Sequence, residues 1–367
     1  MFSSYRNASL QFADLLEGTS MYELHDPQLN NRYFILSGEG SRRLMASPEV
    51  IGFDSYSALL PETVTALRHL FPSGSEGDVD IMTILRGGLN YPIEEACHRV
   101  GVRVRDMHFV SCERIIENQV ITGLEIRYEK LRITRGRTLV IGDIIATGDT
   151  LRMCLEEVVD RFRRKGGSIR RIIFFTIGGT RAISLMERLN ERLCAYFPDF
   201  EGFVCFFYEG IFSVYRDKGV SGINVPDIDF GWKGGVVSPD FRRYVMDRPD
   251  ALFEKCIIYD GGARRYEIPV HFEEVLSYWR GILERAASID MPALVDEKLG
   301  YAGPLGYEEW LEETGLAGLE EEELVPGGLH SLWADEQALR GRAPELSLRE
   351  IAERRIKEIE TISNHYE

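Results

Sequence analysis

The chain is poor in the residues that mark several protein classes. Its 367 residues include six cysteines and seven histidines, with no Cys-x-x-Cys pair and no metal-ligand spacing. This composition predicts reduced thiols rather than disulfides or a zinc site. Apolar runs long enough to cross a bilayer are missing, and the first residues, MFSSYRNASLQFADLLEG, lack the apolar region of a signal peptide. We therefore expect a cytoplasmic protein without a membrane partner. The cysteines are Cys97, Cys112, Cys154, Cys194, Cys205 and Cys256.

Basic residues are fewer than acidic ones, so the formal net charge is -16. That balance disfavours non-specific binding to nucleic acid or anionic membranes, which requires a basic face, but it allows a small cationic pocket. The hydrophobic content of 44% suffices for a sizeable core, and the length exceeds that of a typical single domain. We expect an N-terminal helical and strand segment packed on the core (1–77), an α/β core (78–235) and a mostly helical C-terminal extension (236–367).

Strand-like and helical patterns alternate within the expected core. This alternation predicts an α/β fold with a doubly wound, mainly parallel sheet. The polar segment 111–137 has scattered apolar residues that indicate a hairpin, and loops of that length are typically functional lids or disordered. Predicted strands are 33–36, 79–85, 102–110, 139–141, 172–176 and 203–208. Predicted helices are 5–16, 56–70, 91–100, 151–159, 180–193, 272–287, 307–313 and 347–362.

One stretch, TLVIGDIIATGDTL at 138–151, combines a buried strand, a polar loop and the start of a helix. Backbone N–H groups and the positive end of a helix dipole converge in such a loop and favour a phosphate. Gly148 allows close approach of the backbone, and the hydroxyls of Thr147 and Thr150 can donate to phosphate oxygens. Asp143 follows the strand, where a carboxylate can accept hydrogen bonds from sugar hydroxyls. The simpler alternative is an ordinary strand-to-helix connection with Asp and Thr as capping residues.

A second loop, Arg86-Gly87-Gly88, follows the predicted strand 79–85 and is expected at the same sheet edge. Two glycines permit unusual backbone angles, so their N–H groups can cradle a second anion while Arg86 adds positive charge. The alternative to an anion-binding loop is an ordinary turn that needs glycine for its backbone conformation and is preceded by a surface arginine. The pairing of this loop with the downstream one favours the functional interpretation.

The two stretches resemble those of a known family. Segment 138–151 resembles the phosphoribosyl-pyrophosphate (PRPP) loop of the type I phosphoribosyltransferases, which holds the 5′-phosphate of PRPP, with preceding acids on the ribose hydroxyls. Segment 84–89, ILRGGL, is similar to the pyrophosphate loop of uracil phosphoribosyltransferases, which have alanine where Gly87 stands. Most family members have an acid at the position of Gly142. Ala146 fits uracil and adenine enzymes better than hypoxanthine-guanine ones, which have aspartate there.

Weaker similarities continue along the chain. Arg114 resembles the start of the family's lid segment, and Tyr128 with Lys130 resembles its end. The residues that resemble the base-binding hood are Val225, Pro226 and Asp229.

The resemblance implies transfer of a 5-phosphoribosyl group from PRPP to a nucleobase-like nitrogen heterocycle, uracil-like as the first candidate, with release of pyrophosphate. It implies Asp143 and Arg86 as catalytic residues and Mg²⁺ as a cofactor carried by PRPP, with Asp143 as the candidate protein ligand. A homodimer or other homo-oligomer is expected. We expect Asp149 to point outward, because its charge would repel the phosphate. The implied phosphate seat is Ala146, Thr147, Gly148, Asp149 and Thr150; the implied pyrophosphate seat is Arg86, Gly87 and Gly88.

Two other hypotheses remain open at this point. The first is a catalytically inactive regulatory protein that senses PRPP or a nucleotide, which the glycine at Gly142 would suit. The second treats the C-terminal third as a docking module for a partner, with the α/β core as its scaffold.

Overall fold

A mainly parallel sheet forms the centre of the molecule in the computed structural model, which describes residues 9–72, 78–85, 87–117, 120–146, 148–215, 229–255, 266–319 and 327–366. Ten strands of these residues join in it. They are β1 (Ser9–Leu16), β2 (Thr19–His25), β3 (Arg32–Ser37), β4 (Asp78–Leu85), β5 (Arg103–Glu117), β6 (Val120–Lys130), β7 (Arg137–Gly142), β8 (Ile169–Gly179), β9 (Phe203–Tyr215) and β10 (Asp229–Val237).

Helices cover the sheet and form the C-terminal region. Those of the first two hundred residues are α1 (Glu39–Ala46), α2 (Phe53–Ser57), α3 (Leu60–Leu70), α4 (Ile93–Arg99), α5 (Asp149–Arg164) and α6 (Thr180–Tyr196). Those that follow are α7 (Pro239–Met246), α8 (Ile268–Arg285), α9 (Met291–Leu299), α10 (Tyr307–Thr314), α11 (Gly328–Arg342) and α12 (Leu348–Ser363). None of the described helices is long and apolar enough to cross a membrane.

The strand order is β1-β2-β3-β9-β8-β7-β4-β5-β6, with β10 beside β9. Strands β3 to β5 along this order are parallel, and β1, β2, β6 and β10 add antiparallel pairs. The chain passes from β4 to β5 in one direction and from β7 through β8 to β9 in the other. Because crossovers between parallel strands are right-handed, α4 lies on one face of the sheet and α5 and α6 on the other. The predicted doubly wound α/β fold is confirmed, and its switch point lies between β4 and β7.

Local sequence explains the elements at this switch point. In β7, Leu139, Val140 and Ile141 are almost completely buried, as expected of a central parallel strand covered on both faces. Helix α5 buries an apolar stripe at helical spacing, which seats it against the sheet. The stripe consists of Leu151, Cys154, Leu155, Val158, Val159 and Phe162.

The predicted helix at 5–16 is wrong over its described part, which is the strand β1. The spacing of its apolar residues suits either a helix or a strand, and pairing with β2 favours the strand. Leu10 lies opposite Leu24 and is fully buried, and Phe12 lies opposite Tyr22. Tertiary pairing therefore overrides a locally ambiguous pattern.

The predicted helix 56–70 is two helices, α2 and α3, rather than one. Pro61 sits in the first turn of α3. A proline disfavours helical geometry in the residue before it, and its ring is tolerated at a helix start, so the break falls just upstream. The predicted strand at 102–110 is longer than expected, since β5 continues to Glu117 and pairs with β6 in the expected hairpin.

Glu209 holds together three separate parts of the chain. Its carboxylate is fully buried and accepts hydrogen bonds from the hydroxyls of Ser37 (2.5 Å), Ser238 (3.0 Å) and Ser41, and from the N–H of Gly38 (3.2 Å). Burial raises the pKa of this carboxyl to about 7. Its backbone has a φ of 63°, a strained value for a residue other than glycine. The end of β3, the start of α1 and the start of α7 thus meet at one carboxylate.

The C-terminal helices attach to the rest of the molecule through buried ion pairs. Arg355 of α12 donates to the Glu254 carboxylate at 2.8 and 3.0 Å and to Glu49 at 2.5 Å. Arg242 of α7 pairs with the fully buried Glu336 of α11 at 3.0 Å. The domain bounds expected from the sequence stay a prediction, and β3 of the N-terminal segment pairs directly with β9 of the expected core.

The expected helices in this region are present as α8, α10 and α12. The side chain of Ser347 caps α12 by accepting from the N–H of Glu350 at 3.3 Å. Helices α7, α9 and α11 were not marked by the sequence patterns.

Candidate active site

The switch point brings two loops to the carboxyl edge of the sheet. Strands β4 and β7 pair in parallel, with Val79 opposite Thr138 and Met82 opposite Ile141. The segments that follow them are 86–92 (the β4 loop) and 143–148 (the β7 loop), and their described residues are therefore neighbours. Ligands of open α/β sheets bind in such a crevice, because helices leave it on opposite faces.

In the β7 loop, the chain leaves the strand while keeping hydrogen bonds to β8. The N–H of Asp143 donates to Phe175 O and the N–H of Ile145 donates to Ile177 O, both at 3.0 Å. Gly148 then adopts a left-handed φ of 79° directly before α5, a conformation that favours glycine. The strand, loop and helix predicted for 138–151 are present, with Thr147 outside the described residues.

The acid and hydroxyl positions of this loop differ in exposure. Asp143 is partly buried, and burial raises the pKa of its carboxyl to about 7, against the opposing effect of a 2.8 Å hydrogen bond from the N–H of Ile144. Asp149, the first residue of α5, is exposed, in agreement with the expectation that it points outward. Ala146 and Thr150 are partly exposed. The carboxyl of Asp143, with a pKa of about 7, thus lies in the loop that leads into α5.

In the β4 loop, Gly87 makes a tight turn in which its N–H donates to Ile84 O at 2.6 Å. A Cβ atom at Gly87 would lie 2.8 Å from Ile84 O and 2.9 Å from Asn90 Nδ2, so a side chain is excluded there. Gly88 begins a short 3-10 turn that ends at Asn90, and it is buried. Close packing therefore requires glycine at Gly87, whereas Arg86 lies outside the described residues.

Asn90 joins the β4 loop to Gly142, the last residue of β7 before the β7 loop, and no sequence pattern predicts this role. Its Nδ2 donates to Gly142 O at 2.7 Å, and its Oδ1 accepts from Gly142 N at 3.0 Å. A Cβ atom at Gly142 would lie 2.4 Å from Leu89 O, so the 3-10 turn occupies the space that a side chain would need. The only signal in the sequence is an amide that follows two glycines, which is too common to indicate this contact.

The predicted lid is the β5–β6 hairpin. Leu85, the last residue of β4, lies opposite Ser111, which lies opposite Tyr128, so these three form one row across the sheet. Residues 112–117 continue past this row by about 20 Å. The hairpin therefore projects beyond the sheet edge beside the β4 loop.

The three lid residues expected from the sequence lie on this hairpin. Tyr128 is 52% exposed, and the Lys130 ammonium lies 5.7 Å from the centre of the Phe109 ring. The backbone of Arg114 pairs with Leu124, and its side chain lies outside the described part of the chain. Arg114 lies on β5, and Tyr128 and Lys130 lie on β6.

The hairpin also contacts the helix of the β7 loop. The Cys112 thiol of β5 is hydrogen-bonded to the buried Cys154 thiol of α5, and this bond lowers the pKa of Cys112.

The predicted hood follows β9. Ile145 of the β7 loop bridges to Gly178, and Gly178 lies opposite Ile211 in β9. This row places the hairpin of β9 and β10 next to the β7 loop. Val225 and Pro226 lie outside the described residues, and Asp229 begins β10 with its side chain likewise undescribed.

The described residues contain no group of three histidines, cysteines or acids that could hold a metal ion. Asp143 remains a single carboxylate at the edge of the crevice.

Comparisons with known proteins give distant similarities. No family model matches the sequence, and no curated protein matches it. Among solved structures, a hypoxanthine phosphoribosyltransferase from Staphylococcus aureus is 16% identical with a TM-score of 0.25, over 32% of this chain and 60% of that one. The Trypanosoma cruzi hypoxanthine enzyme (11%, TM-score 0.28, 47% and 77%) and the L. donovani hypoxanthine-guanine enzyme (12%, 0.30, 46% and 86%) are also similar.

These structural neighbours are hypoxanthine and hypoxanthine-guanine enzymes, so the expected link to uracil enzymes gains no support from them. At such identities and TM-scores the similarity assigns neither a substrate nor an activity to this chain.

Proposed function

We propose that the protein is a phosphoribosyltransferase that transfers the 5-phosphoribosyl group of PRPP to a nitrogen heterocycle. The observation that carries the proposal is the pair of glycine-dependent loops at the switch point, joined by the two hydrogen bonds of Asn90 to Gly142. Two neighbouring loops of this kind suit a ligand with an anion at each end. PRPP has this form, with a 5′-phosphate on one side of the ribose and a pyrophosphate on the other.

In this proposal the protein acts by positioning and charge. The C1–O bond to pyrophosphate breaks through an oxocarbenium-like transition state, and a nitrogen of the acceptor attacks C1, as in glycosyl transfer generally. Residues 146–150 hold the 5′-phosphate and Asp143 orients the ribose hydroxyls. Arg86 and the N–H groups of Gly87 and Gly88 stabilise the departing pyrophosphate. The hairpin with Arg114, Tyr128 and Lys130 closes over the site and excludes water, which would otherwise hydrolyse PRPP.

The residues present are compatible with Mg²⁺. A single carboxylate, Asp143, together with substrate phosphates and water is a donor set that Mg²⁺ commonly uses, since it rarely binds in an all-protein cage. When bound, Mg²⁺ supplies positive charge to the pyrophosphate. We place the reaction in the cytoplasm and expect a homo-oligomer.

For the acceptor we propose a chemical class, a nitrogen heterocycle. Uracil is the first candidate from the resemblance at 84–89 and Ala146, and hypoxanthine and adenine complete the panel to test. Specificity would reside in the hood, for which Val225, Pro226 and Asp229 are the candidates.

The test is PRPP-dependent pyrophosphate release with Mg²⁺ and this panel of bases. We expect Asp143→Asn and Arg86→Ala to abolish release with the fold intact, whereas Arg349→Ala, on the exposed face of α12, should leave it unchanged. Full activity in either site variant would refute the assigned roles. Binding of PRPP without product from any base would support the sensing protein instead.

The packing around Gly142 bears on that alternative. The glycine that replaces the family's first acid is required by Leu89 O, 2.4 Å from its would-be Cβ. Its presence follows from the close approach of the β4 loop, so it does not by itself indicate a site that has lost catalysis.

A further inference from the structure

We propose that Asn90 is a positioning residue that couples the two loops, so that a ligand held by one loop raises the affinity of the other loop for its own ligand. This inference rests on the proposed function, because the two ligands are taken to be the two phosphate-bearing ends of PRPP.

The first argument is the role of Asn90 in the sheet. Successive N–H groups of a parallel strand point to alternate neighbours. The N–H of Asp143 points to β8, where it donates to Phe175 O, so that of Gly142 points to the β4 side. Backbone pairing with β4 ends one residue earlier, at Ile141. The Asn90 side chain supplies the missing partner, accepting from Gly142 N and donating to Gly142 O as a peptide group would.

The second argument is the close packing around the contact between Asn90 and Gly142. Leu89 O approaches the Gly142 backbone so closely that a methyl group could not be inserted, and a Cβ atom at Gly87 would lie 2.9 Å from Asn90 Nδ2. A displacement of the β4 loop therefore reaches Gly142 through direct contacts. Gly142 is followed by Asp143, whose carboxylate is the proposed ribose ligand.

The consequence is thermodynamic coupling between the two seats. A ligand that moves the β4 loop to its bound position also moves Gly142 and Asp143 through Asn90, so the second ligand no longer has to move them. Coupling of this kind is reciprocal and typically amounts to a factor of roughly 5 to 150 in affinity.

The experiment measures the coupling directly in the full chain. The Kd of inorganic pyrophosphate, with Mg²⁺ present, is measured by calorimetry without and with saturating ribose 5-phosphate, and the ratio is the coupling factor. We expect the factor of Asn90→Ala to be at least about fivefold lower than that of the wild type. Mutual repulsion of the two anions is the same in every variant, so it cancels from the comparison.

Two further variants make the result specific to the contact. Asn90→Asp has the same shape and can still accept from Gly142 N, but it places an acceptor against Gly142 O, so it should also lose the coupling. Asn31→Ala is the matched control. Asn31 accepts from Phe203 N and donates to Glu187, both at 2.8 Å, at the opposite edge of the sheet, so its loss should leave the coupling factor unchanged.

Hydrogen exchange provides a readout that needs no ligand. In Asn90→Ala the Gly142 amide should exchange at least about tenfold faster, while the neighbouring Asp143 amide, bonded to β8, should change less. A uniform increase across the sheet would indicate a general loss of stability and would count against the inference.

The outcomes separate this inference from the function on which it rests. If both ligands bind and Asn90→Ala retains the wild-type coupling factor, the inference is overturned and the proposed function stands. If neither ligand binds the wild type, both are overturned.

Discussion

Replacement of Gly142 by alanine is the sharpest test of how the two loops pack. The new Cβ atom would lie 2.4 Å from Leu89 O, 2.6 Å from Leu89 C and 3.0 Å from Asn90 N. All three are backbone atoms of one 3-10 turn, which cannot turn aside as a flexible side chain would. Since ordinary contact begins at 3.4 Å, the turn must retreat by about 1 Å.

The size of the effect follows from two contributions. Overpacking of this kind typically destabilises by about 1–3 kcal/mol. A retreat of 1 Å also breaks both hydrogen bonds of Asn90 to Gly142, at about 1 kcal/mol each. We therefore expect Gly142→Ala to lower the free energy of unfolding by roughly 3–5 kcal/mol and to weaken PRPP binding.

Urea unfolding followed by circular dichroism measures the first quantity and calorimetry the second. Gly341→Ala is the matched control, because nothing lies within 4 Å of its would-be Cβ and it sits in helix α11, where alanine is favoured by up to about 1 kcal/mol. The same substitution should thus have opposite signs at the two sites. A Gly142→Ala protein within about 0.5 kcal/mol of the wild type would refute the packing argument.

Three further predictions concern charged groups. Because burial raises the pKa of Asp143 to about 7, ribose 5-phosphate should bind more tightly as pH rises from 6 to 8, and calorimetry should show a flatter profile for Asp143→Asn; an equally steep one would contradict the role. The raised pKa of Glu209, also about 7, means that the folded state retains a proton which the unfolded state loses near pH 4. Stability should therefore fall between these values by up to about 1.4 kcal/mol per pH unit, and urea unfolding should show a smaller fall for Glu209→Gln. Arg355→Ala leaves the Glu254 carboxylate buried without its guanidinium and should lose about 3–5 kcal/mol in the same assay, whereas Arg349→Ala, whose ion pair on the same helix is exposed, should change stability by less than 1 kcal/mol.

Much of the α/β core could be predicted from the local hydrophobic pattern. The run Leu139, Val140 and Ile141 is too apolar for a strand with a solvated face, which identifies β7 as central. Gly148 was expected to allow close approach of the backbone, and in the structure it adopts a left-handed conformation directly before α5. These features depend on neighbouring residues alone, so the order of strand, loop and helix was accessible from the sequence.

Where the hydrophobic pattern fitted both a helix and a strand, the local sequence could not decide between them. Residues 9–16 fit a helix or a strand, and the choice was made by β2, which offers unpaired backbone groups and buries Leu10. The strained backbone of Glu209 likewise had no sequence signal, because its partners come from two distant segments, 37–41 and Ser238.

What the sequence alone determined is the order of strands and helices from β4 to β9, the parallel sheet and the two glycine loops. Only the tertiary structure decided that Asn90 completes the ladder of Gly142 and that no acid can stand at Gly142. The reason is physical: the two residues are 52 positions apart, and their contact depends on β4 and β7 becoming neighbours while their helices leave on opposite faces. Hydrophobic period specifies a strand or helix where it is unambiguous, but the contacts between loops depend on which strands become neighbours in the sheet.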